Sequence, residues 1–234
     1  MPTRGQFIAL EGIDGSGKQT QLELLARKLD ARGVANFRIS FPRYESFYGK
    51  LVAQFLNGEF GPLQTVDSRL SALLYAGDRL EAKPEIETAL SAGKIVLADR
   101  YVGSNLAHQS ARVPKEKRNE FLEWLKQLEY ELYGLPKEDL VIYLRLPAVE
   151  AHRLVGLKSA RAYTTLQRDI QEADIKHLEE TAKMYERLAT ETNWVSIDCI
   201  NAVSGELLSP DDIHVKVLRA VESRILPQAS AGRS

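Results

Sequence analysis

Hydrophobic residues along this chain follow two alternating patterns, short continuous apolar runs and longer stretches with one apolar face. Short runs of this kind predict strands at Phe7–Leu10, Ile95–Ala98 and Leu140–Leu146. Two more mixed segments, Asn36–Phe41 and Trp194–Ile197, are also predicted to be strands. In the longer stretches apolar residues recur every three or four positions, as Leu22, Leu25, Ala26 and Leu29 do, which predicts helices. Because strands separated by helices favour parallel pairing, the pattern predicts a doubly wound α/β domain with a five-stranded parallel sheet flanked by helices.

Helical segments are predicted in each connection between these strands. The first ends near Gly33, and Pro147 opens the one that follows the fourth strand. The others are predicted at Ser46–Leu56, Asp67–Leu90, Asn105–Arg112, Lys115–Tyr133, Glu172–Thr190 and Pro210–Arg224. We expect one domain over residues 1–226 and a flexible tail at residues 227–234, which are small and polar.

The overall charge is balanced, with 31 Lys and Arg against 32 Asp and Glu in 234 residues, a formal net charge of −1. This balance argues against a dedicated nucleic-acid-binding surface, which usually carries a basic excess. No apolar run approaches the roughly 20 residues that span a bilayer, and the N-terminal run is too short for a secretory signal. We therefore expect a cytoplasmic protein with neither nucleic acid nor membrane as a partner.

A glycine-rich loop that ends in a lysine lies between the first strand and the first helix. Glycines let successive backbone N–H groups turn toward an anion, and the helix N-terminus and Lys18 add positive charge. This context predicts a phosphate-binding loop of the P-loop NTPase fold. The residues expected to bind the phosphates of ATP are Gly12, Ile13, Asp14, Gly15, Ser16, Gly17, Lys18, Gln19 and Thr20.

The loop departs from the usual G-x-x-x-x-G-K-[ST] pattern at one position. Gln19 stands where a hydroxyl would bind Mg²⁺, and the hydroxyl comes one residue later, at Thr20. One residue on a helix is a rotation of about 100°, so Thr20 cannot simply substitute. We expect Mg²⁺ to depend instead on carboxylates, on oxygens of the nucleotide and on water.

The third predicted strand ends in an acid followed at once by an arginine. Asp99 is placed as a Walker-B carboxylate near the phosphate loop and its metal. Arg100 has a rigid guanidinium suited to a phosphate, which points to a second phosphorylated ligand. The chain has no Asn-Lys-x-Asp motif for reading guanine.

Four segments together resemble the thymidylate kinase family in sequence, order and spacing: Gly12–Lys18, Phe41–Tyr44, Tyr75–Arg79 and Asp99–Asn105. The similarity runs from about Gln6 to Ile197. The resemblance implies transfer of the γ-phosphoryl group of ATP to dTMP with Mg²⁺, in a homodimer. Because a phosphate monoester with a second pKa near 6 is already nucleophilic at neutral pH, such an acceptor needs no general base.

The resemblance also implies roles for single residues. Lys18 and Arg100 would be catalytic, Asp99 would help organise Mg²⁺, and Asp14 would accept a hydrogen bond from the 3′-hydroxyl of dTMP. Tyr75 would stack on the pyrimidine, Arg79 would donate to a thymine carbonyl, and Asn105 would face the base. The positions that match the family's dTMP site are Asp14, Phe41, Arg43, Tyr44, Tyr75, Arg79, Arg100, Asn105, His108 and Gln109.

The histidines differ in what they suggest. His108 stands where family members often carry tyrosine beneath the sugar, so discrimination against ribonucleotides is open. His152, His177 and His214 show no metal-ligand spacing, and we expect structural or surface positions for them.

A basic segment at about residues 151–170 is the expected lid over ATP. Residues 151–168 carry four basic residues and no acid, which leaves −5 for the rest of the chain. Family members place a catalytic arginine either in the phosphate loop or in the lid, and this loop has none. Arg161 and Arg168 are therefore the candidates, without a choice between them.

Two alternatives remain at this stage. One is another pyrimidine nucleotide kinase or a deoxynucleoside kinase on the same fold; the latter needs a carboxylate base, for which Glu11 is a candidate. The other is a non-catalytic nucleotide-binding protein, which only the departure at Gln19 supports.

Overall fold

The computed structural model describes residues 4–155, 171 and 174–226. Its strands form one parallel sheet in the order β2-β3-β1-β4-β5. The strands are β1 (Phe7–Glu11), β2 (Asn36–Ser40), β3 (Ile95–Asp99), β4 (Leu140–Arg145) and β5 (Trp194–Asp198). The predicted doubly wound fold is confirmed, and strand boundaries shift by one residue at most.

The central strand β1 determines where a ligand can bind. It is buried along its whole length and pairs with β3 on one side and β4 on the other. The chain leaves β1 toward β2 on one side and returns later to build β4 and β5 on the other. Such a reversal opens a crevice at the carboxyl ends of the strands, where doubly wound folds bind ligands.

Helices cover both faces of the sheet. They are α1 (Lys18–Ala31), α2 (Phe47–Leu56), α3 (Ser68–Ser91), α4 (Val102–Ala111), α5 (Arg118–Lys126), α6 (Ala148–Val155), α7 (Ile175–Leu188) and α8 (Pro210–Arg224). Helix α1 packs against α8, whereas α4 packs against both α3 and α7. Within these described helices, none is both long and apolar enough to cross a membrane.

Three predicted helices differ from the structure. The helix predicted at Glu172–Thr190 is α7, which begins at Ile175 because the Asp174 side chain accepts the His177 backbone N–H and caps the helix start. Helix α4 begins at Val102 rather than Asn105, because the Glu11 carboxylate accepts the N–H groups of Tyr101 and Ser104 and caps the helix start. The predicted helix Lys115–Tyr133 is a 3₁₀ turn, then α5, then a π-helical segment, Gln127–Leu132. π-Helical segments are frequent at functional sites.

Candidate active site

The phosphate loop has a backbone that only glycine supports at two positions. Gly12 and Gly15 have positive φ angles of 144° and 87°. A Cβ atom would lie 2.7 Å from the Leu144 carbonyl oxygen at Gly12, and 2.7 Å from the Ala151 carbonyl oxygen at Gly15. The loop therefore lies close against the end of β4 and against the helix that follows it, Ala148–Val155.

Lys18 is buried at the start of α1, and its charge faces the loop. Its Nζ atom donates to the carbonyl oxygens of Gly12 and Ile13, each at 3.0 Å. An ammonium carries three donors and a full positive charge in this crevice. The arrangement suits a bound polyphosphate.

Arg100 connects the end of β3 to the phosphate loop. Its φ angle of 67° is in the left-handed region, an uncommon conformation for an arginine that often marks a functional site. The guanidinium donates to Asp14 Oδ1 at 2.7 Å, Ser104 Oγ at 3.0 Å and the Gly12 carbonyl oxygen at 3.1 Å. Burial lowers the pKa of Arg100, but the nearby acidic groups, Asp14 first among them, together outweigh burial and raise the pKa well above its usual value.

Glu11 is completely buried below these groups and is fully engaged. Oε1 accepts the backbone N–H groups of Tyr101 and Ser104, and Oε2 accepts the hydroxyls of Ser104 and Tyr185 at 2.6 and 3.0 Å. Because Glu11 is completely buried and both of its oxygens already accept hydrogen bonds, it supports the site and is out of reach of a substrate hydroxyl. This argues against the deoxynucleoside kinase alternative, which used Glu11 as the base.

A cavity adjoins Arg100, and apolar, aromatic and charged side chains together form its lining, as they do in small-molecule sites. Nine of the ten residues expected to hold dTMP line it: Asp14, Phe41, Tyr44, Tyr75, Arg79, Arg100, Asn105, His108 and Gln109. Pro42, Leu56, Ser104 and Gln171 also line it, and sequence reasoning did not single them out.

Arg43 is the residue of this set that does not line the cavity. Its guanidinium pairs with Glu85 at 2.8 Å and with Asp78 at 3.5 Å. Asp78 also accepts the Arg43 backbone N–H, which fixes the segment after β2 to α3. The structure therefore gives Arg43 a role in holding this segment rather than in lining the cavity.

Arg79, which lines the cavity, belongs to a buried ion pair. Arg79 donates from Nε and Nη2 to the two oxygens of Glu129, at 2.5 and 2.7 Å. Burial opposes the charge of Arg79, but the ion pair prevails and raises its pKa. Glu129 also accepts the Asn105 amide at 2.8 Å. Glu129 was missed because nothing in its local sequence distinguishes it from the exposed acids nearby.

His108 and His177 form a buried pair beside Arg100. His108 Nε2 lies 3.4 Å from Arg100 Nη1, which can only donate, so we assign the His108 proton to Nδ1. His108 Nδ1 in turn lies 3.4 Å from His177 Nε2. Burial and the nearby Arg100 hold the pKa of His108 well below its usual value.

The buried pair of His108 and His177 should make the protein less stable in acid. Burial, and then Arg112, lower the pKa of His177 to about 4 from 6.5. Between these pH values His177 binds a proton in the unfolded chain but stays neutral in the folded chain. The free energy of unfolding therefore falls as the pH drops from about 6.5 to 4, by up to about 3 kcal/mol for His177. Urea unfolding across this range should show the loss, and His177→Gln should make it shallower. An equally steep loss in the variant would contradict the assignment.

The residues predicted to bind Mg²⁺ are described by the structure, whereas the two lid arginines are not. Asp99 Oδ1 is buried and has no hydrogen-bond partner among the described residues. Gln19 and Thr20 are both exposed on α1, and no group of three or more potential metal-binding side chains occurs in the described ranges. Arg161 and Arg168 lie outside the described residues.

A phosphate loop lies at the switch point of a parallel sheet, and Arg100 contacts this loop and also lines the adjoining cavity. Together these features define a P-loop nucleotide kinase. The sequence profile of the thymidylate kinase family matches residues 10–205. The chain therefore belongs to the thymidylate kinase family.

Individual relatives agree with this assignment. A thymidylate kinase of Mycobacterium tuberculosis is 33% identical over 79% of this chain and 86% of its own. A probable thymidylate kinase of Pyrococcus horikoshii is 35% identical over 95% of this chain and 98% of its own. The solved structure of a thymidylate kinase from Candida albicans has the same fold, with a TM-score of 0.71 and 23% identity over 94% of this chain and 92% of that one.

Proposed function

We propose that this protein transfers the γ-phosphoryl group of ATP to dTMP, producing dTDP for dTTP synthesis. The observation that carries the proposal is the cavity in which Arg100, Tyr75 and Arg79 line one space next to the phosphate loop. Family membership supplies the reaction, and the cavity supplies a place for the acceptor.

The reaction needs alignment and charge neutralisation more than proton transfer. Lys18 and the loop amides hold the phosphates of ATP, while Arg100 binds the phosphate of dTMP. Arg100 also donates hydrogen bonds to Asp14 and to the Gly12 carbonyl oxygen in the phosphate loop. The site for dTMP is therefore held in a fixed position relative to the site for ATP. The acceptor phosphate attacks as a dianion. Tyr75 offers an aromatic face to the base.

Magnesium is part of the proposal, and Asp99 is the residue that fits it. The Oδ1 atom of Asp99 is buried without a partner in the described part of the chain, as an oxygen reserved for a cation would be. The bound ion would neutralise charge on the transferred phosphoryl group. Thr20, exposed on α1, is not placed as the loop hydroxyl usually is.

Similarity to the thymidylate kinase family supports three further proposals. We propose that the protein is a single domain with a lid at about residues 151–170, that it forms a homodimer and that it is cytoplasmic. Arg161 and Arg168 stay the candidates for the arginine that reaches the transferred group.

Alanine substitutions should separate these two arginines. The catalytic one should lower kcat by about tenfold or more, whereas the other should mainly raise the KM for ATP. Steady-state kinetics with ATP varied at saturating dTMP gives the answer. If neither variant changes kcat/KM by about tenfold, the arginine does not come from this segment.

A coupled assay of ADP formation tests the proposed function. It compares dTMP, dUMP, UMP and thymidine at equal concentrations with saturating ATP and Mg²⁺. We expect dTMP to give the highest kcat/KM. Preference for UMP or thymidine would favour another pyrimidine kinase, and no turnover of any acceptor would favour a nucleotide-binding protein.

A further inference from the structure

We propose that Glu129 is a positioning residue that makes the cavity select pyrimidines with a carbonyl at C4. The inference rests on the proposed function and concerns how the base is read. Its basis is the contact of one buried carboxylate with both polar side chains expected near the base, Arg79 and Asn105.

Asn105 has only one favourable amide orientation. Its Nδ2 atom donates to Glu129 Oε1 at 2.8 Å and to the Ala72 carbonyl oxygen at 3.0 Å. Both partners are acceptors, so a rotated amide would turn its own oxygen toward them and lose two buried hydrogen bonds. Asn105 Oδ1 is buried without a partner in the described residues, although Asn105 lines the cavity. It is thus available as an acceptor.

Arg79 is fixed by the same carboxylate as a donor. Glu129 takes its Nε and Nη2 hydrogens, and Nη1 takes part in neither bond. The side chains of Arg79 and Glu129 are only 2% and 0% exposed, so the pair has little freedom to rearrange. Glu129 lies in the π-helical segment Gln127–Leu132, which places it opposite α3 and α4.

A donor beside an acceptor matches one pyrimidine edge and opposes another. Thymine and uracil present an acceptor at C4 and an N–H donor at N3, whereas cytosine presents an amino donor at C4 and an acceptor at N3. Cytosine would leave buried polar groups unpaired, which a hydrogen-bonding site penalises strongly. Glu129 sets this pattern without itself needing to touch the base.

Glu129→Gln should weaken the choice between thymine and cytosine. A glutamine side chain has one acceptor oxygen, whereas the carboxylate of Glu129 offers two, one for Arg79 and one shared with Asn105. The amide group of the glutamine can also donate to Asn105 Oδ1 and draw that oxygen away from the cavity. We expect the ratio of kcat/KM for dTMP over dCMP to fall by about tenfold or more, through KM more than kcat. The ratio for dTMP over dUMP should stay within about threefold, because these bases share the same polar edge.

Glu138→Gln is the matched control. Glu138 is also a buried carboxyl group and accepts the Tyr130 hydroxyl at 2.7 Å, but it is not among the residues that line the cavity. Both ratios should be unchanged in this variant. If Glu129→Gln yields no soluble protein, Glu129→Asp retracts the carboxylate, and its dTMP over dCMP ratio should fall by about threefold or more.

Three results would count against the inference or its premise. An unchanged dTMP over dCMP ratio in the Glu129 variants would overturn it. Equal loss of both ratios would also overturn it, since that indicates a general collapse of the cavity. A wild-type protein that does not phosphorylate dTMP would overturn the proposed function instead.

Discussion

Lys18→Ala is expected to lower kcat by about 10²–10³ at saturating ATP and dTMP. The ammonium is positioned before ATP binds, by two loop carbonyl oxygens at 3.0 Å. A fixed charge in a buried crevice stabilises developing negative charge without reorganising, and alanine removes it entirely. Steady-state kinetics with each substrate varied measures the effect.

Lys28→Ala is the control for this prediction. Lys28 is exposed on the same helix, about 15 Å along its axis from Lys18. Removing its charge should leave kcat unchanged. A kcat near the wild-type value in Lys18→Ala would remove Lys18 from the mechanism.

Arg100→Ala is expected to lower kcat/KM for dTMP by about 10²–10³. The loss follows from two effects, because alanine removes the cation for the acceptor phosphate and leaves Asp14 without its ion-pair partner at 2.7 Å. Arg100→Lys should recover only part of the activity, since an ammonium keeps the charge but not the planar fork.

Binding and turnover should both report the Arg100 change. We expect a higher Kd for dTMP by calorimetry together with a lower kcat, because the guanidinium meets the acceptor in the ground state and during transfer. Arg32→Ala, which removes a surface arginine paired with Glu222, should change neither. An Arg100→Ala enzyme with wild-type Kd and kcat would exclude Arg100 from the site.

Local patterns were sufficient to predict the elements of this fold. Continuous apolar runs placed the inner strands β1, β3 and β4, because a parallel strand covered on both faces needs apolar residues throughout. The edge strands β2 and β5 have mixed sequences and were placed by their shorter apolar stretches. The start of α4 was missed since its cap is Glu11, which is about 90 residues away in sequence but in direct contact. The π-helical segment was missed because its apolar spacing resembles that of an α-helix.

The residues of the candidate site also fall into those that local sequence could reveal and those that it could not. Tyr75 and Arg79, which the motif spacing put on one face of a helix, both line the cavity from α3. Arg43 does not line the cavity, because Asp78 and Glu85 hold its guanidinium. These partners are distant in sequence, so the position of Arg43 beside Pro42 could not reveal them. Glu129 and His177 act through tertiary contacts, and a single sequence carries no signal for such partners.

Transfer of the phosphoryl group to dTMP can be detected directly. ATP labelled in its γ-phosphoryl group is incubated with the protein, Mg²⁺ and dTMP, and labelled products are separated and counted. We expect the label to appear in dTDP in an amount equal to the ADP formed. Label released as inorganic phosphate, or retained in ATP despite dTMP, would contradict it.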